Sequence, residues 1–213
     1  MANEILHPDK SILEEATRHA AINWEWWERD YMHGGDFGSL PILQTFHRFR
    51  AFGADYSVDR GLNSSECEEM RKWLTDFVPS NELATNPSKF KAQFCKEYDG
   101  FYKRCTEIET KNSRAISRRV SLFSKLLGHW KPNEFAMWDQ YARLGLKDIL
   151  KRSSYTGFKQ YTDFNKDFHY LKRNWNEHLF KLSKEHWDGH LSGKSEKIEL
   201  FKPRILDNYL VVL

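Results

Sequence analysis

The chain has 213 residues, with 33 Lys+Arg against 30 Asp+Glu, a formal net charge of +3 and 40% hydrophobic residues, which is enough to bury a core as one large domain or two small ones. No apolar run approaches the roughly 18 residues that a membrane span needs, and the first residues, Met1 to His7, lack the basic and apolar segments of a secretory signal. Three cysteines, Cys67, Cys95 and Cys105, without a Cys-x-x-Cys pair argue against a disulfide framework, a zinc finger or an iron–sulfur cluster and point to a reduced, cytoplasmic protein without a resident metal or cofactor.

Helical spacing runs through the chain. Ser11, with Glu14 three residues on, predicts a capped helix to about Tyr31. A Gly34-Gly35-Asp36-Phe37-Gly38 loop follows, then a short helix from Pro41 to Phe52. Ser64 or Ser65 opens another that reaches Phe77 and is stopped by Pro79. Ser88 to Glu109 reads as a long amphipathic helix, with Phe90, Phe94, Tyr98 and Phe101 on one stripe. Further helices are expected over 113–130, Asp139 to Arg152, Phe158 to Trp187 (one long helix or two) and Pro203 to Leu213. Good strand alternation is scarce, and no internal repeat or long linker is visible. The expectation is an all-α protein, one unit over 1–213 with two lobes.

The near-neutral total hides an uneven distribution. Between Thr110 and Thr162 eleven basic residues face three acidic ones, a local +8, so the remainder carries −5. A basic block in a nearly neutral chain suits a face that meets a polyanion, although charges of this kind also serve simply to solvate helix exteriors.

Within that block, Ile116, Val120, Phe123, Leu127 and Trp130 fall on one helical stripe and Arg114, Arg118, Ser121, Lys125 and His129 on another. Lys131-Pro132 ends the helix, an apolar linker from Phe135 to Trp138 passes inward, and Asp139 starts the next helix. The pattern Lys-Pro-x-x-Phe-x-x-Trp-Asp resembles the helix-hairpin-helix superfamily of DNA glycosylases, above all its 8-oxoguanine-glycosylase-like branches. The resemblance covers about 40 residues around a core motif at 113–151, with a weaker echo at Pro203 to Leu210.

It implies a compact two-lobed helical domain of the glycosylase type, a monomer acting on double-stranded DNA and independent of membranes. Asp139 takes the place of the family's catalytic carboxylate. The family's Gly-x-Gly hairpin turn has no counterpart in Thr110 to Ser117, so the hairpin is degenerate, with Lys111, Arg114 and Arg118 as substitutes for its phosphate-holding amides. Arg119 stands where bifunctional members carry a lysine nucleophile. A guanidinium stays protonated and is a poor nucleophile, so the resemblance implies a monofunctional enzyme, with Lys125 as an alternative nucleophile. Phosphate contacts are assigned to Lys111, Arg114, Arg118, Arg119, Lys125, His129 and Lys131.

Breaking a nucleobase's glycosidic bond builds positive charge on the deoxyribose, which a desolvated carboxylate stabilises while orienting the attacking water. Asp139 is equally suited to be a plain helix N-cap, a role compatible with catalysis. A flipped base needs aromatic faces, and Trp24, Trp27, Tyr56, Trp138 and Tyr141 are the candidates, though aromatics at helical spacing are commonly core. The expected activity is excision of a modified base to leave an abasic site. The base would be an oxidised purine or, as in phage-defence relatives, a hypermodified cytosine of an invading genome. A non-catalytic DNA-binding or complex-forming protein on the same fold is the alternative, and a nuclease a weaker one.

Overall fold

In a computed structural model of the chain, the structure describes residues 7–24, 45–56, 63–77, 121, 124–125, 128–129, 132–152, 155, 161–188 and 195–213. All regular structure among these residues is helical. The chain divides into two compact units, one made of residues 1–32 and 124–213 and the other of 33–123.

In the second unit, α2 (Phe46–Asp55) is capped by Thr45, whose side chain accepts from the Arg48 N–H. It starts five residues later than Pro41 suggests. It packs against α3 (Ser64–Phe77). Phe49, Phe52 and Cys67 are sealed in this unit, and the Arg50 Nη1 reaches the Cys67 Sγ at 3.3 Å. The helix expected over Ser88 to Glu109 lies outside the described residues.

The first unit opens with α1 (Lys10–Asn23). Its cap is Asp9 rather than Ser11: Oδ1 accepts from the Ser11 N–H at 2.9 Å, the Ile12 N–H at 3.1 Å and the Ser11 hydroxyl at 2.7 Å. Both residues are good caps, and a carboxylate that gathers three donors outcompetes a hydroxyl. Leu13, Ala16 and Ala20 form the buried stripe of this helix. The described part ends at Trp24, so the extension to Tyr31 lies outside the described residues.

Of the region expected as one long helix or two, the described residues form two, α5 (Tyr161–Asn174) and α6 (Asn176–Asp188), broken at Trp175. That indole is buried and meets Tyr209 edge-on with centroids 5.0 Å apart.

The centre of the unit is α7 (Ser195–Val212), against which α1, α4 (Gln140–Leu150) and α6 all pack. It begins eight residues before Pro203, which lies inside it. Proline has no N–H for the carbonyl four residues back and normally ends a helix. Here burial of the whole 201–206 segment outweighs that loss. Two cations are buried in this segment, Lys202 and Arg204. Lys202 Nζ is satisfied by Glu199 Oε1 at 2.7 Å and Asn176 Oδ1 at 2.8 Å. Helix α4 lies so close to α7 that a Cβ at Gly145 would run into the Leu210 carbonyl oxygen, with the Leu210 Cα 3.1 Å away.

Candidate active site

The segment from Pro132 to Asp139 leaves the helical state between a helical stretch that includes residues 121, 124–125 and 128–129 and the start of α4. Phe135, Ala136, Met137 and Trp138 are at most 7% exposed, so this linker crosses the interior with backbone polar groups that need partners. Most of those partners come from one face of α5. Asn165 is a two-way clamp: its Oδ1 accepts from the Ala136 N–H at 2.7 Å and its Nδ2 donates to the Glu134 carbonyl at 3.0 Å. One turn earlier the Tyr161 hydroxyl donates to the Ala136 carbonyl at 2.9 Å. Further along, His169 hydrogen-bonds the Glu134 backbone, and the Lys172 Nζ donates to Asn133 Oδ1 at 3.0 Å.

The preceding helical segment grips the linker from the other side. The Ser124 hydroxyl, itself fully buried, accepts from the Trp138 N–H at 2.8 Å. A Cβ at Gly128 would lie 2.9 Å from Met137 Cγ and 3.3 Å from the Phe135 oxygen, so any side chain here would push Met137 out of its place. Arg204 of α7 ties the same two strands of chain, donating from Nη2 to the Gly128 carbonyl at 2.7 Å and placing Nη1 2.8 Å from the Met137 sulfur.

These ties deliver Asp139 to the mouth of α4 with extended backbone (φ −121°, ψ 153°). Its Oδ1 accepts from the Tyr141 N–H at 2.9 Å, which caps the helix. Its Oδ2 faces Lys125 Nζ at 3.7 Å, with the lysine side chain 11% and the aspartate side chain 31% exposed. The carboxylate is thus fixed at one oxygen, opposed by an ammonium at the other, and still open to solvent. The preceding residue, Trp138, is buried edge-on to Tyr161 and Phe164 with centroids 5.9 and 5.3 Å away. Arg143, one turn into α4, lies over the Trp138 ring at 4.7 Å. Burial holds its guanidinium below the ordinary arginine value, with the Asp139 charge pulling the other way.

The expected site residues are distributed unevenly. Asp139, Trp138, Tyr141 and Lys125 come together. Tyr141, whose backbone N–H bonds the carboxylate, is 61% exposed, while Trp138 at 4% and Trp24 at 8% are buried in the core. Trp24 meets Phe201 of α7 edge-on. His129 is 3% exposed, inside the molecule and away from any solvent-facing stripe. Burial, then the charges of Arg204 and Lys125, hold its pKa well below the ordinary histidine value, so it is neutral at pH 7 and in no position to meet a phosphate. Helical periodicity placed His129 with the cations but could not show that Arg204 would close over that side. Tyr56 belongs to the other unit, against Phe52 at 4.8 Å. Trp27, Lys111, Arg114, Arg118, Arg119 and Lys131 lie outside the described residues.

Sequence reasoning missed Ser124, Asn165, Arg204 and Arg143. Of these only Arg143 carried a legible signal, its position four residues beyond Asp139 on one helix face. Comparison with protein-family models, with curated proteins and with solved structures finds no match for this chain. No helix of the described residues is long and apolar enough to cross a membrane, and they contain no group of three or more His, Cys, Asp or Glu side chains suited to hold a metal ion.

Proposed function

We propose that the protein is a DNA glycosylase that excises a modified nucleobase, with Asp139 as its catalytic carboxylate. The observation that carries this reading is the Asp139–Lys125 pair: a pinned, partly exposed carboxylate 3.7 Å from an amine, at the end of a buried linker. As the base departs, the deoxyribose gains cationic character, and Oδ2 stabilises it while orienting water toward C1′. The base leaves with the bonding electrons and takes up a proton, and the water oxygen becomes the C1′ hydroxyl of an abasic site. Tyr141, exposed and two residues after the carboxylate that caps its N–H, is the aromatic face offered to the extruded nucleotide. Lys111, Arg114, Arg118, Arg119 and Lys131 hold the phosphates. The substrate class is an oxidised purine in a repair role or a hypermodified cytosine of phage DNA in a defence role.

The same pair supports a second reading, in which Lys125 is the nucleophile. Nζ, once it has given up a proton, attacks C1′ as the base leaves with the bonding electrons. The nitrogen then loses a second proton, and its lone pair forms the C1′=N bond as the C1′–O4′ bond breaks and O4′ takes up a proton. Loss of a C2′ proton from this iminium expels the 3′ phosphate by β-elimination and breaks the strand. The proximity of Lys125 to Asp139 favours it over any role for Arg119, whose guanidinium keeps its proton.

Incubation with duplexes that each carry one modified base, scored for alkali-labile sites, tests both. Wild type is expected to give product on at least one duplex, and Asp139→Asn to lose it by at least a hundredfold while still binding DNA. Borohydride added during turnover separates the two routes: a covalent protein–DNA adduct that disappears in Lys125→Gln marks the amine route, and product without adduct marks the water route. Salt-sensitive binding without product on any duplex, unaffected by Asp139→Asn, is the result expected of the non-catalytic alternative and overturns the enzyme reading.

A further inference from the structure

Arg143 is held on three sides. Its Nε donates to the Asp139 carbonyl at 3.2 Å, its Nη1 donates to the Tyr155 carbonyl at 2.6 Å, and its plane lies over Trp138 at 4.7 Å. The third nitrogen, Nη2, bonds to none of the described residues. Tyr155 is itself anchored, its hydroxyl donating to Asp167 Oδ2 at 2.7 Å while Arg152 Nη2 meets Asp167 Oδ1 at 3.2 Å.

A purely structural arginine in this place needs only the two carbonyls. What the arrangement adds is a half-buried cation held by two of its three nitrogens, with Nη2 left without a bond to the described residues, a single turn past the carboxylate of the candidate site. Fixing a guanidinium in advance removes the side-chain entropy that binding otherwise costs, and its planar fork suits phosphate oxygens. Lys147 continues the same stripe one turn on; its side chain is 38% exposed and its amine is 3.8 Å from Asp148.

We propose that Arg143 is a phosphate-binding residue, its Nη2 edge taking a non-bridging oxygen of the phosphodiester that flanks the nucleotide whose sugar faces Asp139. The assignment rests on the DNA-glycosylase reading and extends it: the contact pulls the strand against α4 and places C1′ over the carboxylate.

The test is the salt dependence of binding to a duplex containing a tetrahydrofuran abasic analogue, measured for wild type, Arg143→Gln and Arg143→Lys. Each phosphate contact released lowers the slope of log affinity against log salt by about one. Arg143→Gln is expected to lose about one unit of slope and about tenfold or more in affinity at fixed salt, and Arg143→Lys to keep the slope while binding less tightly. An unchanged slope in a folded Arg143→Gln overturns the assignment and leaves the glycosylase reading standing. Wild type without salt-dependent affinity for DNA overturns both.

Should Arg143→Gln fail to fold, wild type and Arg143→Lys are compared on duplexes in which one phosphate at a time is a neutral methylphosphonate. One phosphate adjacent to the analogue is expected to cost wild type about tenfold and Arg143→Lys less. Equal sensitivity of the two proteins, or none at those positions, overturns the assignment.

Discussion

Asp139 serves two ends with one carboxylate, since Oδ1 caps α4 through the Tyr141 N–H and Oδ2 opposes Lys125. The roles separate by substitution. Asparagine is as good a cap as aspartate but carries no charge, whereas alanine loses both functions. Asp139→Ala is therefore expected to lower stability by about 1 kcal/mol relative to Asp139→Asn, as read by urea denaturation, and on the proposed glycosylase reading both variants lose excision. Equal stability of the two variants would show that the cap contributes nothing. At this scale the sequence was informative about residue type and silent about surroundings: an aspartate after a buried apolar run is legible, but nothing in Ser124 or Arg204 as letters tells that they fasten that run.

At the scale of the element, the exposed faces of α5 and α4 matter less than what their inner faces do for a segment with no secondary structure. Tyr161, Asn165, His169 and Lys172 recur at helical spacing and run along the linker from Ala136 back to Asn133. Asn165→Leu fills similar space but leaves the Ala136 N–H and the Glu134 carbonyl without this partner. The expected loss is about 2 kcal/mol or more, because each group abandoned in the interior costs roughly 1–3 kcal/mol. Thermal unfolding checks the stability, and on the proposed glycosylase reading the excision rate falls with it as Asp139 loses its fixed approach. A variant as stable and as active as wild type would show that water or a neighbour replaces the clamp.

Some elements were readable and some were not. The boundaries of α3 and the existence of α4 followed from caps and periodicity. The long start of α7 did not, because a proline reads as a stop unless packing on several sides overrides it.

Within the first unit, His129, buried, and His169, half-buried, are expected to contribute to the response to acid. His169, with Nε2 buried and without a partner among the described residues, has its pKa pushed down from 6.5 to about 4, chiefly by burial, with Lys172 adding to the effect. His129 is shifted in the same direction. A histidine depressed in this way binds its proton more readily in the unfolded chain. Its contribution to stability is complete above pH 6.5 and declines as the pH falls toward about 4. The urea midpoint should therefore drop steadily over that interval, with a shallower drop in His169→Gln. The difference between the two proteins isolates this group from carboxylates that titrate nearby, such as Asp9, held below its ordinary value first by the Ser11 side chain. Parallel curves for wild type and variant would refute the assignment.

Composition and periodicity alone determined that the described part of this chain is helical, that residues 135–138 are apolar and lie between two helices, and that an aspartate follows them, because those properties depend on local spacing and transfer free energy. Only the tertiary structure decided which amine would face that aspartate, which arginine would be pinned beside it and which histidine would be sealed away. Each of those outcomes depends on side chains distant in sequence, Lys125 with Asp139, Arg143 with Tyr155 and Arg204 with His129, and no local pattern encodes the distance between them.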